Sequence, residues 1–399
     1  MPRLQISRRG QSVIASPIRK FLPLLQAAQK RGVEVYKLNT GDPDIAVPPL
    51  FFKTLKQYNS PNLPYAPTPG FPSHVNAWIQ YYKQFGVRLE PNNIIPTVGC
   101  AEAILLALMA VADDGDEILV FEPLYVSYKS FSVMIGVKLV PIPLSAENNF
   151  ALPSMNVLQA KVTAKTKAIV VINPDNPTGK LWSDEELSHV VRFAKINNLF
   201  VVADETYREI RFVGKASCLL ADSESHNNTI VIDSVSKRFS MPGARVGCVV
   251  SYNEEVMGAV LKFAQARLSV GTLEQFALDS LIKQSKKITA PIRKEYQARR
   301  DIVYSALSAM PGVTCSKPDG AFYIIAKLPV ESAEEFVKWL IRDFTYKNHS
   351  VMVSPIADFY ITPGRGKDEI RIAYVLKIPL LKKAMEVLSK GLEAYGHRK

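Results

Sequence analysis

The sequence predicts an α/β protein with a mostly parallel sheet. Short apolar runs that read as buried strands alternate with helical patterns from about residue 90 to residue 250. The residues with evident chemistry, Gly99, Asn176, Asp204 and Lys237, fall where those strands end, which is where open α/β sheets gather their ligands. The 399 residues are 47% hydrophobic and 22% charged, which are globular proportions with length for two domains with sizeable cores.

The elements follow in order. Residues 18–31 carry apolar side chains at helical spacing, and Gly32 closes them. Residues 33–38 read as a short strand running into the turn Asn39-Thr40-Gly41-Asp42-Pro43-Asp44. There Gly41 permits close backbone approach to a ligand. Residues 63–70 form a proline-rich loop holding Tyr65, and residues 75–82 a helix. A strand at 94–99 leads into a long apolar helix that runs to about residue 112. Gly99 stands at that helix's start, where the backbone N–H groups of Gly99, Cys100 and Ala101 and the helix dipole favour an anion. A strand at 117–121 precedes Glu122-Pro123-Leu124-Tyr125, which opens a loop and helix.

Residues 137–143 read as another strand, and 144–166 as loop and helix. The buried strand 168–172 ends in Asn173-Pro174-Asp175-Asn176-Pro177-Thr178-Gly179, where one or both Asn-Pro bonds are candidates for the cis form. After a helix over 184–197, the strand 199–203 closes on Asp204-Glu205-Thr206-Tyr207. The strand 229–233 then delivers Ser234-Val235-Ser236-Lys237, with Arg245 eight residues beyond the lysine. Residues 244–251 are again strand-like, and 253–285 read as helix, loop and helix. An amphipathic pattern over 291–310 is expected to link the two domains. The stretch 315–323 feeds a strand at 324–325, residues 333–346 read as a helix, and 368–374 as an alternating strand with one arginine, Arg371.

Composition narrows the function. The net charge of +12 is spread along the chain, with no recognisable nucleic-acid module, so a solvated basic surface is the simpler reading. Cys100, Cys218, Cys248 and Cys315 lie far apart, which fits a reduced cytoplasmic protein. The five histidines have no metal-ligand spacing. No run of about 18 apolar residues suggests a membrane span, and the N-terminal Arg3, Arg8 and Arg9 leave organelle targeting open.

A lysine beside serines can form a Schiff base with an aldehyde cofactor, and a serine and an arginine can hold its phosphate. Taken singly, each of these residues also reads as ordinary loop, cap or core. The ordered series N-P-D-N-P-T-G, D-E-T-Y and S-V-S-K with Arg245 resembles class I/II aminotransferases, the pyridoxal phosphate (PLP) enzymes of the aspartate aminotransferase superfamily. The likeness spans roughly residues 30–375.

It implies PLP-dependent transferase fold type I: a seven-stranded sheet in a large domain at 47–285, and a smaller α+β domain made of 1–46 and 286–399. It also implies roles. Lys237 holds the cofactor and moves a proton, Asp204 pairs with the ring nitrogen, and Asn176 and Tyr207 contact its phenolic oxygen. Tyr125 stacks on the ring, while Ser234, Arg245 and the backbone of Gly99, Cys100 and Ala101 hold the phosphate. Tyr65 reaches the neighbour's phosphate across a homodimer with shared active sites. Gly41, Asn176 and Arg371 meet the substrate, an L-amino acid such as aspartate or an aromatic one, or a 2-oxo acid such as 2-oxoglutarate.

A C–S β-lyase or synthase would share nearly every cofactor residue and is separated only by assay. A PLP-binding regulator is expected to carry a winged DNA-binding domain ahead of the fold, for which roughly thirty residues are too few. A basic interaction protein without chemistry would be colourless and bind polyanions with steep salt dependence.

Overall fold

Valine, isoleucine and alanine fill the central strands because both faces of those strands are covered. The computed structural model describes residues 4–397, so Arg3 of the N-terminal arginines lies outside the described residues. Its strands are β1 Glu34–Lys37, β2 Ile94–Thr97, β3 Glu117–Glu122, β4 Lys138–Pro143, β5 Thr166–Ile172, β6 Phe200–Asp204, β7 Thr229–Ser234, β8 Gly247–Val250, β9 Thr314–Cys315, β10 Tyr323–Lys327, β11 His349–Met352, β12 Ser354–Pro355 and β13 Glu369–Ala373.

Seven of them form one sheet in the order β2-β8-β7-β6-β5-β3-β4. Its pairings are parallel except those of β8 with β2 and β7, so the expected mostly parallel seven-stranded sheet is present. Alternation along each strand sorts the core. Val201 and Ala203 of β6 join one apolar cluster with Leu187, Val190 and Val191 of the helix Asp184–Ile196. Val202 joins the opposite cluster with Ile104, Ala107 and Leu108 of the helix Gly99–Val111.

A second sheet, β12-β13-β10-β9, is antiparallel, and β1 pairs with β11. A third cluster gathers Phe21, Leu25 and Leu38 from the start of the chain with Tyr296, Ile324, Ile372 and Leu388 from its end. Among the described residues no helix is long and apolar enough to cross a membrane.

Several boundaries differ from expectation. The helix expected over 18–31 is Leu22–Lys30, because residues 17–21 form turns. The strand expected from 244 begins at Gly247: Pro242–Ala244 make a 3₁₀ turn, and Arg245 adopts φ 52°, which no strand tolerates. The helix Ser285–Ser308 begins ahead of Pro291 and carries that proline inside it. The helix expected over 333–346 ends at Arg342. Of the two Asn-Pro bonds, Asn173–Pro174 is cis and Asn176–Pro177 is not, and Glu122–Pro123 is also cis.

Candidate active site

Three neighbouring strands deliver the site. β7 ends in a single helical turn, Val235–Arg238, started by Ser234, whose Oγ accepts the Ser236 N–H at 3.1 Å. Beneath that turn Arg238 is buried, paired with Asp233 and set over the Tyr81 ring at 4.2 Å. The next residue back, Lys237, points into a cavity of about 380 Å³. Asp204, the last residue of β6, lines it too, as do Asn176, Tyr125, Tyr207 and Arg371.

The loop after β5 is held by its own composition. The Asp175 carboxylate accepts the Thr178 N–H at 3.0 Å, and the Gly179 N–H donates to Asp175 O at 3.0 Å. Gly179 has φ +73°, and a Cβ there would come within 2.6 Å of the Tyr323 carbonyl, so the loop presses against β10 and needs glycine. Burial pushes the Asp175 carboxyl up to about 7.

Lys237 Nζ donates to the Gly41 carbonyl at 2.9 Å. Burial brings its pKa down to about 8; Asp42 opposes that shift, while Arg371 and Arg245 add to it. Gly41 is required where it stands, since a Cβ would collide with the Tyr323 hydroxyl. Asp204 is buried, accepting the Thr206 N–H at 3.1 Å and the Cys100 thiol at 3.5 Å. Among the described residues no cation contacts it, and burial raises its carboxyl.

Arg371 is only 1% exposed, yet among the described residues no carboxylate pairs with it. Its Nη1 donates to Asn176 Oδ1 at 3.1 Å and its Nη2 to the Asn39 carbonyl at 2.6 Å, while Nε has no partner. The guanidinium lies over Tyr323 at 4.5 Å and Phe359 at 5.0 Å. A buried cation supported only by neutral groups leaves a strong demand for an anion.

Cys100 lines the cavity at the start of the helix Gly99–Val111, which has no side-chain cap, while Gly99 and Arg245 beside it lie outside the lining. Gly99 has φ +72°, and a Cβ on it would lie 2.6 Å from Arg245 Nη2. Among the described residues Arg245 is engaged only by carbonyls, those of Pro242 at 3.0 Å and Val98 at 3.1 Å. Arginine charge and bare N–H groups thus converge where an anion fits.

Other expected residues sit differently. Ser234 is fully buried, its hydroxyl shared with Ser236 at 2.7 Å and Val246 O at 3.0 Å, and it does not line the cavity. Ala101 is exposed on the helix surface. Tyr65 is 81% exposed and outside the cavity wall. Tyr207 meets Tyr323 hydroxyl to hydroxyl at 3.0 Å. Sequence reading missed Tyr323, Asn39 and the Cys100 thiol as site groups. Tyr323 ended a stretch already singled out, and Asn39 opened the Gly41 turn.

These groups fit PLP. A buried amine of lowered basicity suits its aldehyde, a buried carboxylate without a cation suits its ring nitrogen, and the Arg245–Gly99 cradle suits its phosphate.

Comparison with known proteins agrees. The family described as aminotransferase class I and II matches residues 33–388. The chain is 32% identical over 385 residues to the aspartate aminotransferase of Pyrococcus horikoshii, covering 94% of each. It is 30% identical to aromatic-amino-acid aminotransferase 2 of Thermococcus litoralis, over 98% of this chain and 99% of that one. The structure of Thermus thermophilus aspartate aminotransferase with maleate superposes with a TM-score of 0.88 at 25% identity, covering 98% of this chain and 100% of that one. The chain therefore belongs to the class I and II aminotransferase family and is a pyridoxal-phosphate-dependent amino-acid aminotransferase.

Proposed function

We propose that the enzyme moves the amino group of an L-amino acid, aspartate or an aromatic one, to a 2-oxo acid such as 2-oxoglutarate, using the residues gathered around the cavity. The observation that carries this reading is Arg371, a buried guanidinium without an anion, set in the same cavity as the low-pKa amine of Lys237. The names of the relatives support both donor classes.

Bound PLP supplies an aldehyde that amines can join and a ring that withdraws electrons from the substrate Cα. Lys237 would hold it, Asp204 would keep its ring nitrogen protonated, and Tyr125 would cover a face of the ring. Asn176 and Tyr207 would hydrogen-bond its phenolic oxygen. Arg245 and the N–H groups of Gly99, Cys100 and Ala101 would hold its phosphate, with Ser234, buried behind the turn, shaping the Val235–Arg238 turn and not reaching the phosphate. Arg371 grips the α-carboxylate of the amino acid, with Asn176 bracing the guanidinium and Gly41 leaving the backbone close to the substrate. Lys237, whose basicity burial lowers so that the uncharged amine becomes abundant around pH 8, takes the proton from Cα and returns it later as an acid.

We place the domain boundaries at 46/47 and 285/286, supported by the cluster that joins the start of the chain to its end. A homodimer with shared sites is supported by an exposed apolar patch: Phe52, Leu63, Tyr65 and Phe276 lie on adjoining segments, with Tyr58 against Phe276 at 5.5 Å and Thr272 Oγ1 bonded to the Pro64 carbonyl. Four unpaired cysteines support a cytoplasmic location. The test is a panel of amino donors and oxo acids on the PLP-loaded protein. The reading expects transamination that Lys237→Ala abolishes, and fails if no pair turns over.

A further inference from the structure

Tyr323 touches two groups that serve different ends of the chemistry. It opens β10, whose register with β13 sets Tyr323 opposite Ala373 and Ile325 opposite Arg371. Arg371 is therefore the diagonal neighbour of Tyr323 on one face of the sheet, a gap that a long side chain and an aromatic ring can close. They do close it, with the guanidinium 4.5 Å from the centre of the Tyr323 ring.

The other end of the same side chain reaches the large sheet. Tyr323 is 3% exposed and lines the cavity. Its hydroxyl meets that of Tyr207 at 3.0 Å, and the two rings stand edge to face at 5.8 Å. The hydroxyl fills the space that a side chain on residue 41 would need, beside the carbonyl that accepts Lys237 Nζ.

Among the described residues each of these hydroxyls has the other as its only hydrogen-bond partner. Two phenols carry two hydrogens and share one bond, so one hydrogen is left for a further acceptor. Which phenol keeps it follows from their surroundings. Burial pushes both up, so both stay protonated, but at Tyr323 the Arg371 charge works against burial. Tyr323 is thus the better donor, and the spare hydrogen belongs to Tyr207.

We propose that Tyr323 is a positioning residue: its hydroxyl donates to Tyr207 and holds the Tyr207 hydrogen toward the phenolic oxygen of the cofactor, while its ring carries Arg371 in place for the carboxylate. This deepens the reading given under Proposed function and rests on its placement of Tyr207 and Arg371. The hydroxyl and the ring do separate jobs, so substitution can separate them.

The test uses the PLP-loaded protein as wild type, Tyr323→Phe, Tyr323→Leu, Tyr207→Phe and the double variant Tyr207→Phe with Tyr323→Phe. The pH midpoint of the visible absorbance reports the hydrogen bonding of the cofactor's phenolic oxygen, and calorimetric affinity for maleate reports Arg371. Tyr323→Phe is expected to raise the midpoint by about half a pH unit, because a weaker bond to the phenolic oxygen leaves the neighbouring nitrogen more basic. Its maleate affinity should stay within about twofold of wild type, since the ring remains. Tyr323→Leu should bind maleate about threefold or more weakly. In the Tyr207→Phe background, losing the Tyr323 hydroxyl should move the midpoint by no more than about 0.2 unit, a dependence that a merely structural role would not produce. An unmoved midpoint in Tyr323→Phe, beside a shifted one in Tyr207→Phe, overturns the proposal and leaves the placement of Tyr207 standing. Unmoved midpoints in both overturn the proposal and that placement together. Equal shifts with and without the Tyr207 hydroxyl, or wild-type maleate affinity in Tyr323→Leu, also overturn it.

Discussion

Asn176 Oδ1 accepts a hydrogen bond from Arg371 Nη1 at 3.1 Å, across 195 residues of sequence. One partner follows β5 of the seven-stranded sheet, and the other sits in β13 of the antiparallel sheet. The bond orients a guanidinium that is buried without a counter-charge, so function and stability should respond to it in opposite directions.

Arg371→Met is expected to lose at least about 100-fold in kcat/KM for every amino and oxo acid, because the charge-assisted fork is gone. The unliganded variant should melt no lower than wild type, since replacing a buried unpaired charge with an apolar chain is often neutral or stabilising. Steady-state kinetics and thermal melts check the pair of outcomes. Asn176→Ala should cost less, about tenfold, because the Asn39 carbonyl still holds the other nitrogen.

Lys237 sets a pH dependence. Its pKa is about 8 in the fold against 10.5 for a free lysine. Between those values the unfolded chain binds more protons, so this group makes the cofactor-free protein more stable as pH rises from about 8 toward 10.5. The rate at which added pyridoxal combines with Lys237 should rise with a midpoint near pH 8 in stopped-flow absorbance. A midpoint near the ordinary lysine value would contradict the burial of this amine.

Asp204 works the other way. Burial raises its carboxyl, so the folded protein holds that proton more tightly, and stability from this group falls as pH rises above the ordinary aspartate range. Asp204→Asn should therefore raise the melting temperature of the cofactor-free protein at pH 7 by about 2 °C. The same variant should lose PLP on dialysis and transaminate at least about 100-fold more slowly. A lower melting point together with full activity would contradict both halves.

Much of the site could be read from the sequence because its parts are local. Asp204 ends β6, Lys237 sits in the turn that follows β7 and Asn176 in the loop that follows β5, and the strands declare themselves by unbroken apolar runs. Groups that act by meeting across the fold were harder to see. Asn39, Tyr323 and the Cys100 thiol look ordinary in sequence and gain meaning only when β10, β13 and the N-terminal turn converge on the cavity. The late start of β8 was hidden for a related reason. The left-handed backbone at Arg245 accompanies its position over Gly99, where an unstrained strand would be the local preference.

The exposed patch of Phe52, Leu63, Tyr65 and Phe276 carries a prediction about assembly. Sedimentation should show a dimer, and Leu63→Glu together with Phe276→Glu should shift it to monomer with loss of activity. Tyr65→Phe should leave the dimer intact and weaken PLP retention, because its hydroxyl is expected to serve the partner's phosphate. A wild-type monomer with full activity would show the sites to be self-contained.

The account stands on one covalent attachment, PLP on the side chain of Lys237. Reducing the PLP-loaded protein with borohydride and mapping its peptides by mass spectrometry tests this directly. The predicted result is a single pyridoxyl group on the peptide containing Lys237, absent from Lys237→Ala. A label on another lysine, or none on a protein that still transaminates, would contradict it.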